Sequence, residues 1–468
     1  MSLRKDGQLN SGEACALQRA MSGLFDERMF AGWKRHGNSK WSWPSLVCMA
    51  LIWAWGPEEG LQQRFRCGLA VLARWSRSRR WGLTYQGFVK VLLARSDRIV
   101  PALSHRLRQR MQELASDELR VCGQALIAVD GTRIEAPRTQ PNEAWFARVP
   151  AHRLSAGKRS VSQKKSKQKS PRGRRSTRRK TPQPAGPQLW LTVLWHRGVG
   201  LLWDWRQGPS GSSERAHLRE MLDGLPNKTL LVADAGFQGY EYWQALLDRG
   251  HSFVIRVAGQ VRLLRGLGYV RRHANIVYLW PEKNRRRKQP PLVLRLREFH
   301  DGRRSLWLVT NLLDERQLSN RQMADIYRRR WGVEVFFRTF KQTFGRHKLR
   351  SHAPRNVELE LDWSLLALWT LELWSAYELH ARGLSVCDRS TAGALRELRQ
   401  CLQRAALGLD FPLANRLAAL RHDGYERRRK SIRRWPRKRQ QDPIGAPQIR
   451  CANLDELHAA IQLQSLNA

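Results

Sequence analysis

Acidic side chains are scarce in this chain of 468 residues: 40 Asp and Glu face 84 Lys and Arg, for a formal net charge of +44. From Ala144 to Trp203 there is no acidic residue at all. Such an excess argues against an enzyme of acidic metabolites and for a polyanionic partner, nucleic acid or an anionic membrane surface. Long apolar runs are lacking as well. Pro44 to Trp55 is apolar, but that is the length of a core helix and not of a membrane span. The opening Met1-Ser-Leu-Arg-Lys-Asp6 has no apolar stretch of the secretory kind, so neither export nor a membrane partner is expected. The seven cysteines, at 15, 48, 67, 122, 387, 401 and 451, form no Cys-x-x-Cys. That speaks against a thiolate zinc site and a disulfide framework, and a reducing cytoplasm on DNA is the expected location. No internal repeat and no clean helix-turn-helix pattern is present.

What is present begins with helical spacing. Trp41 to Trp55, Leu61 to Trp75, Tyr85 to Leu93 and Val100 to Leu114 carry apolar periodicity and are separated by Gly, Pro and Ser. Arg74, Arg77, Arg79 and Arg80 cluster at one connection. Residues 1–120 therefore read as a basic helical region, either a DNA-end-binding domain or a cap over the core. Ala125-Leu-Ile-Ala-Val-Asp130-Gly-Thr then reads as a strand buried on both faces and ended by a carboxylate. The tract Arg153 to Lys180 is packed with Lys, Arg, Ser and Gln, and Ser160 to Pro187 is too polar to order itself. It is expected to be a loop that tracks phosphates or is simply solvated.

Gln188 to His196 and Gly200 to Trp205 suggest a hairpin, and Ser212 to Leu225 a helix capped by Ser212 or Ser213. Thr229-Leu-Leu-Val-Ala-Asp234-Ala-Gly-Phe repeats the pattern of apolar strand, Asp and Gly. A helix (Gly239 to Arg249) and a buried strand (His251 to Val257) follow. Residues 259–313 read as a β-rich insertion with a basic patch, Lys283 to Lys288, at one turn. Val357 to Leu379 and Thr391 to Leu407 are apolar-rich helices, and Arg427 to Arg439 is a basic C-terminal arm, gripping DNA or solvated. Twenty tryptophans are many, and several (Trp75, Trp81, Trp331, Trp435) adjoin Arg, in keeping with core packing, cation–π pairs or base stacking.

The stretch that organises the rest is Ile326 to Lys341, read as part of one helix from about Asn320 to Gly345. At about 100° per residue, Arg330, Glu334 and Lys341 share an arc of roughly 60° beside Tyr327. Val333, Phe336, Phe337, Phe340 and Phe344 form the adjoining core face. If the two strands are parallel neighbours, Asp130 and Asp234 meet at one sheet edge and Glu334 can be laid across them. Three carboxylates gathered together repel unless divalent cations fill the gap, and all-oxygen ligation suits Mg2+ or Mn2+. Two such ions can clamp both oxygens of an in-line phosphoryl displacement. Asp204, Asp325 and Glu135 are treated as structural.

On these residues the sequence resembles the DDE transposases of bacterial insertion sequences, in the Tyr-Arg-Glu-Lys subgroup, the insertion-sequence-four family. Its signature is Tyr, two residues, Arg, three, Glu, six and Lys, which Tyr327, Arg330, Glu334 and Lys341 match without a gap. Asp130-Gly-Thr and Asp234-Ala-Gly-Phe match its two Asp motifs, and the resemblance spans about Ala125 to Arg350. It implies an α/β fold with a ribonuclease-H-like core (121–258 and 314–382, interrupted by the loop 153–187), a β-rich insertion (259–313), and a helical, basic C-terminal region (383–468). It further implies Mg2+-dependent nicking at insertion-sequence ends, strand transfer into target DNA, a hairpin route in some members, and a homodimer on duplex DNA. Asp130, Asp234 and Glu334 would be catalytic metal ligands, and Tyr327, Arg330 and Lys341 would contact phosphates. Trp307 either stacks on an extruded base or packs in the core. The competing readings are a non-transposing nuclease of the same fold and a non-enzymatic basic DNA-binding protein.

Overall fold

The apolar run ending in Asp130 does not stop there: the strand continues to Glu135, so the aspartate stands mid-strand. In the computed structural model, residues 21–465 are described, apart from 22, 26, 35–39, 76–81, 83, 116–118, 147–185, 269–274, 301–304 and 421–444. The basic tracts at 153–180 and 427–439 thus lie outside the described residues. The strands are β1 (Ala125–Glu135), β2 (Gln188–His196), β3 (Leu201–Pro209), β4 (Thr229–Ala233), β5 (Ser252–Val257), β6 (Arg262–Arg265), β7 (Ile276–Leu279), β8 (Leu292–His300), β9 (Ser305–Thr310) and β10 (Gln448–Cys451). They form a mixed sheet in the order β10-β6-β7-β8-β9-β5-β4-β1-β2-β3. β1, β4 and β5 run parallel, while β2 and β3 are antiparallel to one another and β2 is antiparallel to β1. The strands of 259–313 are therefore not a detached unit, since β9 pairs directly with β5. The basic patch predicted at a turn there includes a short helix, Glu282–Arg286, between β7 and β8.

The helices are α1 (Trp43–Trp55), α2 (Leu61–Trp75), α3 (Tyr85–Leu114), α4 (Gln140–Phe146), α5 (Glu214–Met221), α6 (Tyr240–Leu247), α7 (Glu282–Arg286), α8 (Asn320–Arg329), α9 (Gly332–Arg338), α10 (Pro354–His380), α11 (Thr391–Ala406), α12 (Leu413–Ala419) and α13 (Leu454–Ser465). α3 replaces the two helices expected, running through Pro101. An interior proline costs about 3 kcal/mol. Here Phe88, Leu92, Ile99, Leu103 and Leu107 on that helix are fully buried, at roughly 1.5–3 kcal/mol each. Packing outweighs the lost hydrogen bond.

Both faces of the sheet are covered, which is why its central strands read as continuous apolar runs. Ile127 and Val129 of β1 face the large core shared with α1, α3 and α10. Leu126, Leu230, Val232 and Val254 pack with Met323 and Ile326 of α8 on the second face. α10 is buried on nearly all sides, as its weak amphipathicity requires. The N-terminal helices close on it: Trp55 Nε1 donates to the Ala367 carbonyl at 2.8 Å and Trp363 Nε1 to Ser96 Oγ at 3.0 Å. At the other end, α13 buries Ala460 and Leu463 against β6 and β7, and β10 pairs with β6. That returning strand was not foreseen, because Gln-Ile-Arg-Cys is short and mostly exposed. Among the described residues, no helix is long and apolar enough to cross a membrane.

Candidate active site

The register of β1 against β4 pairs Ala128 with Val232. Two residues on, Asp130 lies within β1 and Asp234 just past the end of the parallel neighbour β4, so the two come level at the same place in the sheet. β4 ends at Ala233, so Asp234 opens a short turn (Ala235–Phe237) and its Oδ1 accepts the Ala235 amide at 2.8 Å. From α8, the Tyr327 hydroxyl donates to Asp234 Oδ1 at 3.0 Å. Arg330 follows one turn later. Its Nη1 donates to Asp130 Oδ2 at 3.2 Å and its Nη2 to Glu334 Oε1 at 3.1 Å. Lys341 Nζ donates to Thr132 Oγ1 at 2.6 Å, two residues beyond Asp130. The two aspartates and the four residues of the Tyr-Arg-Glu-Lys series therefore gather where the middle of β1 meets the carboxyl end of β4. Trp307 sits on β9, paired with Val257 and Glu298, half-buried against the core.

The single helix expected from Asn320 to Gly345 is in fact broken. α8 ends at Arg329, a tight turn holds Arg330 and Trp331, α9 runs from Gly332 to Arg338, and Thr339–Thr343 is a π-turn carrying Lys341. The cause is tertiary. A side-chain carbon at Gly332 would come within 2.3 Å of the Trp195 ring on β2, so the backbone closes onto that indole as only glycine allows. Hydrogen bonds at the break contract to the i−3 pattern, as in Val333 N–H to Arg330 O and Glu334 N–H to Trp331 O. The even 100° wheel does not hold across this break, although the phenylalanine face predicted for the core is buried.

Burial is the largest influence on these carboxyls. It pushes Asp130 and Glu334 up, against the pull of Arg330. Asp234 is also raised by burial, but the Ala235 amide, Arg330, Arg256 and the Tyr327 hydroxyl bring it below the ordinary value. Burial pushes the Tyr327 phenol up, so it stays a neutral donor. Burial also lowers Lys341. Burial works against the charge of Arg330, only 8% exposed, yet the carboxylates of Asp130, Asp234 and Glu334 raise it on balance, and its Nε–H has no partner among the described residues.

Two charged neighbours of these residues escaped sequence reasoning. Arg256 of β5 pairs with Asp234 at 3.4 Å. Glu214, in the first turn of α5, is pushed up to about 7 by burial, then by Asp130 and Asp234. A signal existed: both aspartates are followed within two residues by a glycine, Gly131 and Gly236, and the Glu214 carboxylate lies against both. By contrast, Asp204 pairs with Arg108 and Arg206, and Asp325 with Arg328 and Arg329, away from this site.

As folded, no three His, Cys, Asp or Glu side chains among the described residues are close enough to share one ion. The positive charge between Asp130 and Glu334 is the Arg330 guanidinium. The donors nevertheless fit a hard divalent cation in kind: they are carboxylate oxygens, with no Cys or His among them. Phosphate oxygens would also find Arg330, Arg256 and Lys341 at hand.

Residues 187–370 match the family model described as "Transposase DDE domain", a span that holds Asp234, Tyr327, Arg330, Glu334 and Lys341 but not Asp130. A relative in Escherichia coli (strain K12), "Transposase InsG for insertion sequence element IS4", is 24% identical over 314 residues, covering 64% of this chain and 64% of that protein. The chain thus spans just under two thirds of that relative's length. A solved piggyBac transposase synaptic complex with hairpin DNA aligns over 90% of this chain and 89% of its own, at 11% identity and a TM-score of 0.45.

Proposed function

We propose that this chain is a DDE transposase of the insertion-sequence-four type, dependent on a divalent cation and acting on DNA. It nicks duplex DNA at the ends of an insertion sequence and joins those ends to target DNA, working as a pair of copies. The core is read as ribonuclease-H-like. The order β3-β2-β1-β4-β5, antiparallel and then parallel, with α9 packed on β1, supports this.

Asp130, Asp234 and Glu334 would hold Mg2+ or Mn2+, two ions in the full form of the chemistry. The bound cation supplies charge that eases deprotonation of water or a 3′-hydroxyl and stabilises the departing oxygen. Tyr327, kept neutral, orients Asp234 by donating to its Oδ1. Arg330 neutralises Asp130 and Glu334 in the free protein and is the cation that would meet a phosphate if a bound metal took over those carboxylates. Lys341, on Thr132, and Arg256, on Asp234, flank the site and suit the neighbouring phosphates. Of the two readings for Trp307, its half-buried packing against the core supports a structural role over base stacking.

The observation that carries this reading is that Arg330 joins Asp130 to Glu334 while Asp234 stands level with Asp130 one strand away. Purified protein incubated with a labelled insertion-sequence end, with and without Mg2+, tests it. Asp130→Asn, Asp234→Asn and Glu334→Gln should each abolish cleavage while DNA binding persists. Mg2+-dependent nicking retained by any of the three overturns the assignment. Arg330→Ala and Lys341→Ala should still make a first nick and fail at later steps.

A further inference from the structure

Each of the three proposed ligands has a counter-charge or donor in the folded protein. Asp130 and Glu334 share Arg330, and Asp234 has Arg256 and Tyr327. Glu214 stands differently. It projects from the first turn of α5, which packs on β1, β2 and β3. Its carboxylate has no hydrogen-bond or ion-pair partner among the described residues. The place it occupies is left open by Gly131, and Gly236 lies in ordinary contact beside it. A side-chain carbon at Gly131 would lie 2.1 Å from Glu214 Oε1, and one at Gly236 would lie 3.4 Å from Oε2. Gly131 has no left-handed backbone to explain it, since it is absent from the positive-φ glycines. Its missing side chain makes room for the carboxylate instead. Both glycines closely follow the site aspartates, so a fourth carboxylate is lodged where the two Asp motifs come together. The opposing charge beside it is Arg215, whose Nε donates to the Gly236 carbonyl at 2.7 Å and not to the carboxylate, so the Glu214 oxygens stay open to an arriving cation.

We infer that Glu214 is a fourth ligand of the divalent-cation site, admitted against the two Asp motifs by the missing side chain of Gly131. This rests on the reading of Asp130, Asp234 and Glu334 as that site. The remaining charge is then assigned in full: Arg330 serves Asp130 and Glu334, and the side facing Glu214 is left for the metal. Gly131 becomes a positioning residue, acting through the carboxylate it admits.

The test is Mn2+ binding to the full-length protein, with free Mn2+ read by electron paramagnetic resonance. Glu214→Gln should bind Mn2+ roughly tenfold more weakly or worse, as should Asp130→Asn. Gly131→Ala should weaken binding without removing a donor, and adding it to Glu214→Gln should cost little more. If Asp130→Asn weakens binding and Glu214→Gln does not, Glu214 is no ligand and the site assignment stands. If neither changes Mn2+ binding, the site assignment itself falls and this inference with it. Should the Gln variant lose its thermal transition, Glu214→Asp, one methylene shorter, gives the answer by the same measure.

Discussion

Asp362, on α10, accepts hydrogen bonds from Trp205 Nε1 and Gln207 Nε2, both at 2.7 Å. Burial nevertheless pushes its carboxyl up to about 7 from 3.8, with Trp205 lowering it and Glu358 raising it. Between those two values the folded chain holds a proton that the unfolded chain releases. Its contribution to stability is therefore complete below the lower value and declines as pH rises through the window. Asp362→Asn should remove that decline. Melting temperatures measured at about pH 5 and about pH 8 should show the variant gaining on the parent as pH rises; a constant difference would mean Asp362 ionises normally. At this scale the sequence was informative where one short segment held the whole pattern, as in Tyr327, Arg330, Glu334 and Lys341. Glu214 was not legible, because its meaning depends on Gly131, which only the fold brings to it.

The elements follow the same division. β1 and β4 were readable because strands covered on both faces have no need to alternate, and their apolar runs stand out. The break at Arg330 and Trp331 was hidden, since neither residue disfavours helix and the cause, Trp195, lies on another strand. A prediction follows from that close approach. Gly332→Ala must push the start of α9 off Trp195, at a cost of about 1–3 kcal/mol of overpacking. Because Glu334 sits two residues further on, cleavage should fall in parallel; urea midpoints and nicking rates check both. An unchanged midpoint would mean the indole simply moves aside. α3 teaches the opposite lesson: Pro101 looked like a boundary, and the buried face on either side overrode it.

Across the whole molecule, Arg346 ties three regions together from within the core. Its Nη2 donates to the Ala54 carbonyl at 2.5 Å, its Nε to Ser364 Oγ at 3.0 Å, and its Nη1 to Phe344 O at 3.2 Å. Burial lowers its pKa to about 9. Arg346→Met should cost roughly 2–4 kcal/mol by stranding those acceptors. The loss should show as one cooperative urea transition at a lower midpoint, since the N-terminal helices and α10 share a core. Two separate transitions would mean they unfold independently. The net charge of +44 belongs to this scale too. For every phosphate that is no longer neutralised, the slope of log affinity against log salt should become shallower by about 0.9. Removing residues 160–187 should flatten that slope; an unchanged slope means the tract does not meet DNA.

The returning strand β10 decides how the sheet finishes on its outer side. It lines up along β6, and α13 settles Ala460 and Leu463 over β6 and β7. The border left to solvent there is a strand of four residues. So short a border is a poor template for a stray strand from another molecule, so edge-to-edge stacking of copies is discouraged on that side.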